Sequence, residues 1–206
     1  MTQEREFPDW EQLYQEKPVE TMPWFNPELD PDLEHALIVL DLQSGTFLDL
    51  GTGPATQAIA LAKRGFQVTA TDLSVTAVTL AQQKAAAEGL NITFQQDDIL
   101  NSHLDRSFHY VLDRGVFHVF PPDQRADYVT VISRLVRPNG YLFLKCFSHL
   151  ETRESGPYRF TPEEINQIFG DRFVVQSVEH TVYHGTLEQF PQALFCILQR
   201  KPGSRE

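Results

Sequence analysis

The sequence predicts an α/β fold, a mostly parallel sheet of seven strands with helices on both faces, finished by an antiparallel C-terminal strand pair. Three observations carry this expectation. Apolar strand-like runs alternate with segments of helical spacing between residues 46 and 147. One strand leads straight into two glycines one residue apart and then a helical pattern, over residues 47 to 65. The last two apolar runs are joined without a helical crossover, which requires antiparallel pairing. A chain of 206 residues suits a single domain. The reading divides it into an N-terminal arm or lid over 1–31, where Pro8, Pro18, Pro23, Pro27 and Pro31 cluster, and a domain over 32–206.

In order along the chain, Asp32 opens a helical pattern (Leu33, Ala36, Leu37, Leu40) that stops near Ser44-Gly45. TFLDL (46–50) reads as a strand and Pro54 to Arg64 as a helix, with proline in the first turn, where its missing N–H does no harm. FQVTAT (66–71) is a second strand. Ser74 can cap a helix through Ala87, Gly89 ends it, and NITFQ (91–95) is a third strand. FHYVLD (108–113) is a fourth. Tyr128, Val129, Ile132 and Leu135 give helical spacing from Pro122 to Val136, and Pro138-Asn139-Gly140 is expected to turn the chain into a fifth strand, YLFLKCF (141–147). Thr161-Pro-Glu-Glu164 starts a helix with a capping box, and RFVVQSV (172–178) and ALFCILQR (193–200) complete the sheet.

The composition, 41% apolar and 22% charged, is that of a globular chain, and a net charge of −11 opposes nucleic acid as a partner. The N-terminus is charged and lacks the apolar core of a signal peptide, and no run approaches the length of a membrane span, so a cytoplasmic location is expected with no membrane partner. Cys146 and Cys196 read as reduced core thiols, and no cluster of His, Cys or acidic residues has metal-ligand spacing. Oligomeric state stays open.

The chemistry lies around Gly51 and Gly53. Thr56 stands where a dinucleotide fingerprint needs its third glycine, and no Gly-Lys-Ser/Thr follows as a phosphate loop requires. Asp49, at the strand end before the glycines, would repel a pyrophosphate but suits a ligand with an ammonium beside a carboxylate, whose anionic end the loop N–H groups and helix N-terminus can hold. Asp72, nineteen residues after Gly53, ends the second strand, where a carboxylate accepts from ribose hydroxyls. Asp98, chosen over Asp97, can accept from an exocyclic amine while Leu73 and Ile99 sandwich a flat base. An amino acid, a ribose and an adenine together describe S-adenosylmethionine.

Asp49-Leu-Gly51-Thr-Gly53-Pro-Ala55, Asp72-Leu73, Asp98-Ile99 and Asp113 resemble, in that order, the motifs of class I S-adenosylmethionine-dependent methyltransferases, over roughly residues 33 to 200. Ala55 fills the third small position of the glycine loop. The resemblance implies a Rossmann-like sheet, and VLDRGVFHVFPPDQRADYVTVISRLVRPNGYLFL with MPWFNPELDPDL is similar to the small-molecule branch of thiopurine, thiol, halide and tellurite methyltransferases. The implied activity is metal-independent methyl transfer to a small molecule, a thiol, halide, metalloid oxyanion or small aromatic. The alternative is a non-catalytic sensor that binds the same cofactor. Asp113, at the crevice where strand order reverses, and His118, five residues on, are the expected catalytic residues, and Asp113 is also expected at the cofactor. Trp24 is expected to close over the cofactor, and Arg114 lies where an anionic substrate could be met.

Overall fold

The computed structural model describes residues 5–203. Helices α1 (Trp10–Glu16) and α2 (Pro31–Val39) precede strand β1 (Thr46–Leu50). There follow α3 (Thr56–Lys63), β2 (Gln67–Asp72), α4 (Val75–Ala87), β3 (Thr93–Gln96), β4 (Phe108–Arg114), α5 (Arg125–Leu135) and β5 (Val136–Ser148). The short β6 (Arg159–Phe160), α6 (Pro162–Phe169), β7 (Phe173–Val182) and β8 (Gln192–Arg200) complete the chain.

The sheet runs β3-β2-β1-β4-β5-β8-β7, with β6 beside β5 off this path. Strands β1 to β5 pair in parallel, whereas β8 is antiparallel to both β5 and β7, as the missing crossover helix demands. Strand order reverses between β1 and β4, so their C-terminal ends open the crevice in which α/β sheets of this kind bind ligands.

Side chains alternate across the sheet and fill two cores. Phe47, Leu112, Phe143 and Phe195 face α2, α3 and α4, while Leu48, Val111, Leu142, Leu144 and Cys196 face α5 and α6. On the first face Phe143 stacks on Phe47 at 6.1 Å and on Phe195 at 6.4 Å, so one row of rings ties β1, β5 and β8 together. The polar residues of this same face, Asp49, Asp72, Arg114 and Lys145, fall at the C-terminal ends of their strands, where the row of apolar side chains stops.

Three details depart from the sequence expectation. The arm holds a helix, α1, capped by Asp9, whose side chain accepts from Gln12 N at 3.1 Å. Helix α2 is capped by Asp30 and begins at Pro31 rather than Asp32. Pro138-Asn139-Gly140 falls within the span of β5, but residues 137–140 oppose only His109, between the pairs Phe108↔Val136 and Tyr110↔Tyr141, so the chain bulges out there and regular pairing with β4 resumes at Tyr141. Asn139 absorbs the irregularity at φ +64, a conformation asparagine adopts readily, and a Cβ on Gly140 would stand 2.5 Å from the His109 carbonyl, so glycine lets the strands close.

Candidate functional site

The glycine loop leaves β1 through three left-handed residues, Gly51 (φ +65), Gly53 (φ +48) and Ala55 (φ +60). Thr52 N donates to the Thr71 carbonyl at 2.8 Å and Ala55 N to the Thr52 carbonyl at 2.9 Å, which fixes the loop against β2. A Cβ on Gly51 would overlap Val116 Cγ2, and one on Gly53 would stand 2.5 Å from the Tyr14 hydroxyl. The loop after β4 and the arm therefore both press on bare backbone.

Asp49 pairs with Ala70 in register, so Asp72 lies two residues further along the adjacent strand on the same face. The Thr52 hydroxyl donates to Asp49 Oδ2 at 2.6 Å. Burial pushes the Asp49 carboxyl up to about 7, against the Thr52 bond and helped by the nearby Asp72 charge. Asp72 accepts from Gly53 N at 2.8 Å and Ser74 N at 3.0 Å, one donor on each oxygen. Burial raises its pKa as well. A carboxylate has about four lone-pair sites, so two remain on Asp72 for further donors.

Beyond Asp72, Leu73 is half exposed and Ile99 is buried within the α5-side core. Asp98 caps a short 3-10 turn, accepting from Leu100 N at 3.0 Å and Asn101 Nδ2 at 2.8 Å, and stays partly open to solvent. Asp97 is buried instead; its N–H donates to the Asp72 carbonyl at 3.0 Å, its Oδ1 accepts from His103 N at 2.9 Å, and its Oδ2 has no protein partner. The structure thus brings Asp49, Gly51, Gly53, Asp72 and Leu73 together, with Asp97, Asp98 and Ile99 at the same sheet edge.

The expected catalytic pair sits differently. Asp113 is fully buried and accepts four hydrogen bonds, from Gly115 N (3.0 Å), Val116 N (2.7 Å), Phe117 N (2.9 Å) and the Tyr128 hydroxyl (2.6 Å). Those donors fold the loop after β4 around the carboxylate and occupy its lone pairs, so Asp113 shapes the site from beneath. His118 is also buried. Its Nδ1 accepts from Phe147 N at 3.2 Å, and its Nε2 lies where a Cβ on Gly115 would meet it at 3.2 Å. Burial holds its pKa down at about 3, with the Arg114 charge adding to the effect and a bond with the Gly115 backbone opposing it. Trp24 contacts Trp10 edge-on at 5.8 Å, and its carbonyl accepts from Arg114 Nη1 at 3.1 Å.

Several site residues were missed by sequence reasoning. Tyr14, on α1, reaches Gly53 and is buried; burial first, then the Asp72 charge, raises its pKa, so the phenol keeps its proton. Glu11 accepts from Ser74 Oγ (2.6 Å), Thr76 N (3.1 Å) and Thr76 Oγ1 (2.5 Å), and those bonds lower its pKa to about 2. Asp30 joins the arm to the sheet. Lys145 Nζ, wholly buried, donates to both Asp30 oxygens at 2.8 Å and to Asp32 at 2.6 Å, while Arg114 Nε donates to Asp30 at 2.8 Å. Burial alone would raise the Asp30 pKa, but the two cations outweigh it and hold the pKa low. Arg114 Nη2 also donates to the His184 carbonyl at 2.6 Å, so one guanidinium ties the arm and the β7–β8 loop to β4. Two signals were available: a lone lysine inside the apolar run YLFLKCF, which must find acidic partners to be buried, and Asp-Pro at a helix start.

The site suits the expected cofactor on one count: a buried carboxylate pushed up to about 7 gains from a cation placed beside it, whereas Thr52 N, Gly53 N and Ala55 N already donate within the protein. Among the described residues, no group of three or more His, Cys, Asp or Glu side chains could hold a metal ion, and no helix is long and apolar enough to cross a membrane.

Known proteins share this sequence pattern and fold. The methyltransferase domain family model matches residues 47–140. The 2-heptyl-1-hydroxyquinolin-4(1H)-one methyltransferase of Mycobacteroides abscessus is 30% identical over 160 residues, covering 76% of this chain and 70% of the relative. A solved structure from work on the conversion of a disulfide bond into a thioacetal group during echinomycin biosynthesis superposes with TM-score 0.82 at 24% identity, covering 95% of this chain and 92% of the other. The magnesium protoporphyrin IX methyltransferase ChlM of Synechocystis, solved with bound S-adenosylmethionine, gives TM-score 0.63 at 25% identity, covering 81% of this chain and 76% of the other.

Proposed function

Because the chain belongs to the class I S-adenosylmethionine-dependent methyltransferases, we propose that it methylates a small-molecule acceptor held between the loop after β4 and the N-terminal arm. The enzyme uses S-adenosylmethionine. The observation that carries the finer reading is the roof over the crevice. Arg114 anchors Trp24 and His184 together, Thr186 N donates to the Pro23 carbonyl at 3.2 Å, and a Cβ on Gly185 would overlap that carbonyl. In this reading an arm packed so closely on the β7–β8 loop admits only a compact acceptor. The relative from Mycobacteroides abscessus, named for a heteroaromatic acceptor, supports the same class.

In this reading Asp49 holds the cofactor's ammonium, the backbone of Gly51 and Gly53 lines its amino-acid end, Asp72 holds its ribose, and Leu73 with Asp98 and Ile99 the adenine side. When bound, the cofactor supplies a methyl group on a positively charged sulfur that leaves readily. The chain then has two tasks, orienting the acceptor and excluding water. The Asp113 network fixes the loop, Val116 packs on Gly51, and Tyr14 and Trp24 cover the crevice from the arm side. Incubation with methyl-labelled cofactor and a thiol, iodide, tellurite and a hydroxylated aromatic tests the reading. Transfer to one of these supports it; cofactor binding with no transfer to any, and transfer instead to a protein or RNA, would overturn it.

A further inference from the structure

Resting on that reading, we infer that Glu11 is a positioning residue: it latches α1 to the first turn of α4 beside the ribose carboxylate, and so couples docking of the whole arm to binding of S-adenosylmethionine. The latch starts at Asp72. Its Oδ1 accepts from Ser74 N at 3.0 Å, and Ser74 Oγ donates in turn to Glu11 Oε2 at 2.6 Å. Its Oδ2 accepts from Gly53 N at 2.8 Å, and Gly53 lies under the Tyr14 hydroxyl. Glu11 and Tyr14 are three residues apart on one face of α1, so that face meets the partners of both Asp72 oxygens at once. Thr76 adds its N–H at 3.1 Å and its hydroxyl at 2.5 Å, which gives Glu11 three donors at a helix start that favours an anion.

The latch governs more than one helix. Before α1, Arg5 Nη1 donates to the Glu154 carbonyl at 2.8 Å and Phe7 packs against the α5-side core. After α1, Thr186 Oγ1 donates to the Met22 carbonyl at 3.1 Å and Arg114 Nη1 to that of Trp24. Helix α4 packs on β2 and β3, whereas the Glu154 segment leads into β6 beside β5. Between Phe7 and Trp10 the chain therefore crosses the crevice, from the β5 side of the strand-order reversal to the β2 side. Docking α1 on α4 sets where the rest of the arm lies over the acceptor.

Electrostatics gives the coupling its sign. Glu11 and Asp72 are like charges; burial raises the Asp72 pKa, and the Glu11 charge adds to it. Donors from the ribose hydroxyls and the net positive charge of the cofactor offset this repulsion, so α1 docks best with the cofactor present. By linkage, the factor by which the cofactor strengthens docking is the factor by which docking strengthens cofactor binding.

The chain carries its own reporters, since both of its tryptophans, Trp10 and Trp24, stand on the arm in edge contact at 5.8 Å. Titrating the full chain with S-adenosylmethionine should shift tryptophan emission, and should slow backbone hydrogen exchange over residues 10–16 and over the β7–β8 loop, which Glu11 does not touch. In Glu11→Ala the emission shift and the β7–β8 protection should be lost, and calorimetry should find cofactor affinity about three- to tenfold weaker. Glu11→Gln, with one acceptor oxygen left, should fall between. Thr76→Val removes a hydroxyl donor from the α4 side; it should weaken binding in the wild-type background and change nothing in Glu11→Ala. A merely structural role would lower the unfolding midpoint without removing the cofactor-linked protection. The inference is overturned by emission and exchange that ignore cofactor which calorimetry shows bound, by equal responses in wild type and Glu11→Ala, or by effects of Glu11→Ala and Thr76→Val that simply add. No binding of cofactor to wild type removes the methyltransferase reading beneath it instead.

Discussion

Replacing Asp49 by asparagine separates what the buried carboxylate costs the fold from what it gives the cofactor. Burial lifts its pKa from 3.8 to about 7. At about 1.4 kcal/mol per pH unit, full ionisation then costs the ligand-free folded protein about 4 kcal/mol. The folded-state pKa lies above the unfolded one, so the penalty is absent below 3.8, grows as pH rises, and is complete above about 7. Asparagine keeps the shape and can still accept from the Thr52 hydroxyl, but carries no charge. In urea unfolding, wild type should lose about 2 to 3 kcal/mol relative to Asp49→Asn between about pH 5 and about pH 8. Cofactor binding should reverse the preference. At about pH 6, calorimetry in buffers of different ionisation enthalpy should count roughly one proton released per S-adenosylmethionine bound by wild type, and near none for the variant, whose affinity is also reduced. Parallel pH profiles for the two proteins, or equal proton counts, would refute the argument.

Gly51→Ala forces a Cβ into Val116 at φ +65; the left-handed conformation alone costs about 1–2 kcal/mol, and thermal unfolding with calorimetry should find both stability and cofactor affinity reduced. Asp30→Ala leaves the buried Lys145 with Asp32 alone among its carboxylates, a change worth about 3–5 kcal/mol in denaturant unfolding. Because the cations hold the Asp30 pKa below 3.8, its contribution is present above that value and fades as pH falls through the lowered one, so the gap to wild type should close in acid. Tyr128→Phe removes the donor to Asp113 Oδ2 and should cost about 1.5–3 kcal/mol, read as a lower unfolding midpoint.

Periodicity exposed the sheet because its strands are short apolar runs bounded by capping residues and glycines, each written within about ten residues. The placement of Asp49, Gly51, Gly53 and Asp72 was legible for the same reason: they stand at strand ends and in a single loop, so their positions follow from local pattern. The arm was not. Helix α1 has no tertiary signal in its own sequence, and Glu11 finds Ser74 and Thr76 more than sixty residues away. The Lys145–Asp30–Arg114 cluster joins three segments that no spacing relates. Asp113 at the end of β4 and His118 on the loop beyond it follow from local pattern, but spacing cannot tell a carboxylate facing a substrate from one facing four backbone and phenol donors. Local pattern puts Val136 in the helix rather than in β5 because the Pro-Asn-Gly bulge, with Asn139 at φ +64, separates it from the paired run that resumes at Tyr141.

The central claim is that one crevice holds S-adenosylmethionine, with Asp49 for its ammonium and Asp72 for its ribose. Titrating wild type and Asp72→Asn with the cofactor by calorimetry tests it most directly. Asparagine keeps one acceptor oxygen, enough for only one of Gly53 N and Ser74 N, and it loses the charge that strengthens hydrogen bonds from the ribose, so affinity should fall roughly tenfold or more. Equal affinity in the two proteins, or no binding to wild type, would contradict the account.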